Sequence, residues 1–286
     1  MQAVLITAYR NLNQLAQLAE LLSKEFEVYI HIDKRVSCSD IENSNLKECE
    51  HIKIFSLYRV NWGGCNHLKA ILYLMNEGLK NKEITYFHII SGEDWPVRNI
   101  NEIYNFFEGK DNIYFDCHKL HEVQEKIKFQ KYYSFMDIFD YKKIPQKIFV
   151  KGLVFLQKVL GINRFKHLEL ELFYGLVWGD YPREAVEYCL EYVYRNPEFM
   201  HYLGYGFASE EFFFQSILSN SLYWKQKIEN KNFRYMLWKK KNSSYPAILD
   251  MEDFSNMIKN EYFFARKVRY PVSKELVDEL KKINVG

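Results

Sequence analysis

Near the start of the chain, unbroken apolar runs alternate with stretches whose apolar residues recur at helical spacing. Residues 3–9 read as a buried strand, after which Asn11 opens a segment with Leu12, Leu15, Leu18 and Leu22 on one face. Residues Glu27–Ile32 form a second strand pattern ending in His31-Ile32-Asp33, Ile52–Phe55 a third, and residues 86–90 a fourth. Trp62-Gly63-Gly64 breaks the chain before a helix carrying Leu68, Ile71, Leu72 and Met75. The acidic sequence Ser91-Gly92-Glu93-Asp94-Trp95-Pro96 reads as a loop, and Asn99 with Glu102 predicts a capped helix reaching Phe107. Strands alternating with helices across residues 1–116 predict an α/β fold built on a mostly parallel, doubly wound sheet. Ligands gather beyond the carboxyl ends of such strands. The loops after Tyr9, Ile32 and Ile90 fall at those ends.

The pattern then becomes less regular. Helices are predicted over residues 146–160, 183–195, from Ser209 through Leu218, 251–260 and 273–283, with extended segments at 174–178 and 233–238. No repeat, low-complexity tract or Pro/Gly-rich linker interrupts the chain. One domain spanning residues 1–286 is the expectation, residues 1–116 being its nucleotide-binding half and 117–286 its acceptor-binding and catalytic half.

Composition narrows the function classes. The 286 residues are 48% apolar and include 22 Tyr and 22 Phe, an aromatic load that fills core volume and suits stacking on sugar rings. Thirty-nine basic and 37 acidic residues leave a net charge of +2, too little excess for a general nucleic-acid binder. The five cysteines are widely spaced, with no C-x-x-C, so neither a disulfide framework nor a zinc site is signalled and a reducing cytoplasm is expected. The N-terminus enters a strand pattern at once, without the features of a signal peptide, and no apolar stretch reaches transmembrane length. Any membrane contact is expected to be peripheral, at the inner face.

Several residues are candidates for chemistry. Asp33, at a strand end, either receives a ribose or base or caps the following turn. Thr7-Ala8-Tyr9-Arg10-Asn11 holds neither G-x-G-x-x-G nor a P-loop, which weakens oxidoreductase and NTPase readings. Gly63 and Gly64 let backbone approach a ligand beside Trp62, or simply make a tight turn under a core Trp. Glu93 and Asp94 suit sugar hydroxyls or a metal, or serve capping and solvation. No Asp-x-Asp supports a metal-dependent transferase. Glu210 and Glu211 begin an apolar helix, where acids ordinarily answer the dipole. A partly desolvated Glu211 would also suit a general base. Arg266-Lys267 follows two Phe that anchor the segment, or is a surface pair. Lys239-Lys240-Lys241 is a solvated face. His31 and His88, inside apolar strands, read as satisfied core residues.

Taken together, six segments resemble the core-2/I-branching β-1,6-N-acetylglucosaminyltransferase family, which includes the peptide O-xylosyltransferases. Ile6-Thr7-Ala8-Tyr9-Arg10-Asn11 resembles its opening I-T-A-H-K-N, with Tyr9 for the usual His. Tyr29-Ile30-His31-Ile32-Asp33-Lys34 resembles Y-I-H-x-D-K, and Val60-Asn61-Trp62-Gly63-Gly64 is similar to V-x-W-G-G. Residues 87–96 resemble F-x-L-L-S-G-x-D-Y/W-P, residues 211–215 E-x-F-F-Q, and residues 264–267 F-A-R-K.

The resemblance implies a GT-A fold and inverting transfer from a UDP-sugar to a glycan or glycolipid hydroxyl, with basic side chains in place of a metal and no cofactor. N-acetylglucosamine leads the donors, ahead of xylose, glucose and galactose. It places Thr7, Tyr9, Asp33, Trp62 and Gly63 beside the nucleotide, Arg266 and Lys267 on the diphosphate, and Glu211 as the base. Glu93, Asp94, Trp238 and Glu210 fall on the substrate side. A second diphosphate-binding Arg of the animal enzymes aligns near Ser244, and Arg266, Arg234 or Lys241 are the candidates to replace it. Bacterial surface polysaccharide synthesis is the expected setting. The alternatives are another nucleotide-dependent enzyme on a Rossmann-like sheet and a non-catalytic carbohydrate-binding protein.

Overall fold

The structure, a computed structural model, describes residues 1–122, 129–141, 143–166 and 168–284. Its first part alternates as the pattern predicts: β1 (Gln2–Ala8), α1 (Leu12–Leu22), β2 (Glu27–Ile32), a short α2 (Cys38–Glu42), β3 (Ile52–Phe55), α3 (Asn66–Leu79) and β4 (Tyr86–Ser91). β2 and β4 are buried at every position and β1 at all but one, so continuous apolar runs are what these strands need. The predicted loop after β4 instead contains β5 (Asp94–Pro96), and α4 (Ile100–Phe107) follows, its Asn99 side chain accepting the Asn101 N–H at 2.9 Å.

The remainder consists of shorter pieces. β6 (Ile113–Phe115), β7 (His118–Lys119), α5 (Ile144–Val159), β8 (Phe173–Tyr174) and β9 (Gly179–Pro182) lead into α6 (Arg183–Arg195) and α7 (Pro197–Gly204). Then come α8 (Phe213–Asn220), β10 (Ile228–Glu229), β11 (Arg234–Met236), α9 (Phe254–Lys259), β12 (Phe264–Arg266) and α10 (Lys274–Lys282). The strand expected over 174–178 stops at Tyr174. The helix expected from Ser209 is divided into a 3-10 turn, Ser209–Glu211, and α8. Likewise, the predicted 251–260 helix opens with the 3-10 turn Met251–Asp253, which Asp250 caps.

Seven strands form the central sheet in the order β10-β6-β9-β4-β1-β2-β3. β1 runs parallel to both β2 and β4, and β2 to β3, while β9 is antiparallel to β4 and β6. One antiparallel strand inside a mostly parallel sheet is the departure from the predicted arrangement. Apolar cores cover both faces. One gathers α1, α4, α10 and a small sheet of order β11-β12-β5, and the other gathers α3, α6, α7 and α8. Among the described residues, no helix is long and apolar enough to cross a membrane.

Two strand histidines are core residues, as predicted. The His31 ring accepts the N–H groups of Leu57 and Tyr58 at 3.2 and 3.0 Å, and burial pulls its pKa down to about 4. His88 bridges Asp180 at 2.9 Å and Gln2 at 3.1 Å in the sheet interior, where burial holds it below the ordinary histidine range.

Candidate active site

The carboxyl ends of β1, β2 and β4 open onto one region. At β2, Asp33 is buried and its oxygens are fully engaged. They accept the Arg35 N–H at 2.8 Å, the Arg35 guanidinium at 2.9 and 2.6 Å, and the Val60 N–H at 3.0 Å. Burial pushes this carboxyl up, but the Arg35 contacts and the backbone donors hold it below the usual aspartate range. Asp33 therefore fastens the turn after β2 to the strand-end loop at Val60 and Asn61. Arg35 also donates to Asn61 at 3.2 Å and to the Val60 carbonyl at 2.5 Å.

Beside Asn61, Trp62 is largely exposed, with its ring 5.0 Å from Phe207 and 5.6 Å from Tyr141. Gly63 has φ +78°, and a Cβ there would lie 2.5 Å from the Phe207 ring. Any side chain at Gly63 is thus excluded twice, by backbone and by space. Its carbonyl accepts the Ala208 N–H at 3.0 Å, which ties the glycine turn to the segment entering Ser209–Glu211.

That 3-10 turn separates its two acids. Glu210 is buried and its Oε1 pairs with His67 Nδ1 at 3.1 Å, while His67 Nε2 pairs with Thr7 Oγ1 at 3.1 Å. The other oxygen, Oε2, is buried without a hydrogen-bond partner among the described residues. Glu211 is only partly buried, and its carbonyl accepts the Gly175 N–H at 2.9 Å. A line of contacts thus runs from the end of β1 through α3 to the acidic turn.

The opposite wall is cationic. Asp94, fully buried, accepts the Ser91 N–H at 2.6 Å, the Ser91 hydroxyl at 2.5 Å and Arg266 Nη1 at 3.1 Å, while its Oδ1 has no partner among the described residues. Glu93 accepts Arg269 Nε at 2.7 Å and lies 3.8 Å from Arg10 Nε. Burial pushes the Glu93 carboxyl up, and Arg269, Arg266 and Arg10 together more than offset this, holding it below the usual range. Tyr9 lies among the same groups, with the Arg10 guanidinium 4.0 Å above its ring. Burial raises its phenol pKa and Glu93 adds to the rise, while the three arginines oppose it.

Strand pairing explains why these groups meet. β12 lies antiparallel to β5, with Arg266 opposite Asp94, so residues far apart in the chain share one short ladder. β11 lies parallel to β12 with Met236 opposite Arg266, and Trp238 leaves this sheet at the same end as Lys267. Trp238 is largely exposed, 5.9 Å from the Tyr245 ring. Trp178 joins the two walls: the Arg266 guanidinium sits 4.4 Å above its ring, and the His67 ring is 6.1 Å away on the acidic side.

Two of the predicted stand-in cations are committed elsewhere. Arg234 is buried against Asp180, with Nη2 to Oδ1 at 2.8 Å and Nη1 to Oδ2, and also donates to the Asn232 and Ile89 carbonyls. Lys241 is held by Asp250 at 2.7 Å, Asp253 at 2.8 Å and Glu252 at 3.2 Å. Among the described residues, neither makes a hydrogen bond or ion pair with Glu93 or Asp94, although Arg234 lies close enough to feel the Asp94 charge. Arg269, Arg10, His67 and Trp178 are site residues to which sequence reading assigned no role. For Arg269, the available signal was a third cation two residues beyond Lys267.

The family model described as Branch: Core-2/I-Branching enzyme matches residues 3–258. No curated protein matches. Among solved structures, the apo WbbM bifunctional glycosyltransferase is similar over 100% of this chain and 52% of its own, at 11% identity and TM-score 0.43. HddC from Yersinia pseudotuberculosis is similar over 42% of this chain and 60% of its own, at 11% identity and TM-score 0.27. TarS 1-349 of S. aureus in complex with UDP is similar over 46% of this chain and 40% of its own, at 15% identity and TM-score 0.27. The chain thus spans less than two thirds of each of these structures.

Proposed function

The chain belongs to the core-2/I-branching enzyme family of glycosyltransferases, and we propose that it moves a sugar from a UDP donor to a glycan hydroxyl with inversion and without a metal. N-acetylglucosamine leads the donors, and a role in bacterial surface polysaccharide synthesis accompanies the reading. The observation that carries it is the meeting of two walls at Trp178, with arginines on one side and the Glu210–Glu211 turn on the other.

An inverting transfer needs charge of opposite sign on opposite sides of the reacting carbon. In this reading Glu211 accepts the acceptor hydroxyl proton as that oxygen attacks the anomeric carbon. The bond from that carbon to the diphosphate oxygen breaks, and UDP leaves with the electron pair. Arg266 and Lys267 neutralise the departing diphosphate. The partial exposure of Glu211 suits a group that must touch the acceptor, whereas Glu210, buried on His67, suits the substrate side through its unpartnered oxygen. A positioned base of this kind supplies roughly 10²–10⁴-fold. Donors fixed on a developing charge contribute about 3–4 kcal/mol each.

Independence of metal is supported by the donor set. Glu93 and Asp94, the acids at the strand end, already have arginine partners. Thr7, Tyr9, Asp33, Trp62 and Gly63 line the loops at the nucleotide side in this reading, Asp33 acting by holding the loop as well as by any contact of its own. Trp238 offers an aromatic face to the acceptor.

The test is UDP release across a panel of UDP-sugars, with and without EDTA. Turnover of one donor, undiminished by EDTA, is the expected result. Failure to bind UDP or any UDP-sugar overturns the reading, and transfer abolished by EDTA removes its metal-independent part. Glu211→Gln should lower transfer by roughly 10²–10⁴-fold while UDP binding persists. A near-normal rate removes Glu211 from the base role.

A further inference from the structure

We propose that α5 is a membrane-docking helix that lays this face of the protein on an anionic lipid surface. Sixteen residues long, α5 buries only Val150. Ile144, Ile148, Phe155 and Val159 stand 72%, 65%, 68% and 67% exposed. At 3.6 residues per turn these four fall within about 60° of one another, and Lys147, Lys151 and Lys158 form the adjoining row. The sequence of residues 141–168 contains seven Lys or Arg and no Asp or Glu. Of the seven, Arg164 is turned inward, its guanidinium donating to the Phe129 and Tyr202 carbonyls.

An apolar stripe of this size on a surface marks an interaction site. A lysine row beside it, with no acid in the segment, selects the partner by charge. Apolar side chains enter the acyl boundary while ammonium groups stay at the anionic headgroups. A second copy is a poor match in an antiparallel two-fold contact through this face, which brings the two lysine rows together.

The helix adjoins the site. Phe149 packs on Phe139 with ring centroids 5.8 Å apart, Ile138 beside it is exposed, and Tyr141 at the head of α5 is 5.6 Å from Trp62. Docking through α5 therefore brings the Trp62 side of the site to the lipid surface. Joined to the transferase reading, this identifies the acceptor class as a saccharide carried on a lipid, and that clause alone rests on the reading.

Flotation of the whole chain with phosphatidylcholine vesicles, with and without a minority of phosphatidylglycerol, tests the docking. The protein should float with the anionic vesicles only and be released by high salt. Lys147→Gln/Lys151→Gln/Lys158→Gln should weaken binding by on the order of 100-fold, and Ile148→Glu/Phe155→Glu should abolish it. UDP binding by calorimetry should be unchanged in both variants, which shows that they fold. Wild-type protein that fails to float overturns the proposal, as does flotation indifferent to the variants. A solution dimer abolished by Ile148→Glu/Phe155→Glu gives the face to a second copy and overturns it too. Flotation without UDP binding leaves the docking standing and removes the transferase reading, whereas UDP binding without flotation does the reverse.

Discussion

Two arginine–aspartate pairs flank the same strand and differ in what they are for. Arg234 and Asp180 lie in the sheet interior, both almost without exposure, with His88 completing the network. Arg266 and Asp94 lie at the strand end, where Asp94 is equally buried but the Arg266 side chain is 14% exposed and spread over Trp178. The chemistry is the same in both. In the interior pair, the arginine's Nη groups also donate to the backbone carbonyls of Ile89, Gly179 and Asn232. The strand-end arginine keeps a face toward the region between the two walls. A buried ion pair closed on itself holds the sheet together, and one left open on a single side can act on something that arrives.

The largest effect should come from breaking the closed pair. Arg234→Met leaves Asp180 charged in the interior with only the His88 ring beside it, and thermal or denaturant unfolding should show a loss of about 3–5 kcal/mol. If stability were unchanged, the distinction between the pairs would fail. Next, at the open end, Lys267→Met should lower sugar transfer by roughly 10²–10³-fold, with stability nearly unaffected. A loss of stability in parallel with activity would place this segment with the structural pair instead.

A third effect concerns pH. His31 titrates at about 4 in the folded chain, below its ordinary value, because burial favours its neutral ring. The unfolded chain therefore binds more protons between about 6.5 and 4, and stability falls as pH drops through that window, by an amount on the order of 3 kcal/mol. His31→Gln should flatten this part of the stability curve, and an unchanged slope would assign it to other groups. The smallest effect is expected at Arg195, whose pair with Glu191 at 2.5 Å is open to solvent. Arg195→Ala should cost about 0.3–0.5 kcal/mol in the same unfolding assay. A cost comparable to that of Arg234→Met would mean that ion-pair geometry, and not burial, decides.

Legibility in the sequence followed the range of the forces involved. β1, β2, β3, β4, α1 and α3 could be read because local apolar spacing and strand or helix state agree over several residues. β9 could not: Gly179-Asp180-Tyr181-Pro182 places a charge and a proline in a strand pattern, and only partners 54 and 92 residues away, Arg234 and His88, make Asp180 acceptable there. β5 has the pattern of a loop for a similar reason, since its three residues become a strand by pairing with β12. In the site, Glu93, Asp94, Arg266 and Lys267 stood out as motifs. His67 and Trp178 carry no local signal, and Arg269 only its place two residues beyond Lys267, because what they do depends on which distant group each faces. The pattern at Asp33 suits either a turn cap or a ligand contact, and the structure gives its oxygens to the turn and to Arg35.

The β5–β12 ladder also sets an order of events during synthesis. Asp94 emerges from the ribosome 172 residues before Arg266. At roughly 5–20 residues per second, the interval is about 10–35 s. Throughout that time β1 to β4 can already have assembled, while Asp94 waits without Arg266 and Glu93 without Arg269. A nascent chain arrested before β12 should therefore hold much of its sheet and bind no nucleotide. Competence would arrive abruptly, once β12 has left the ribosome.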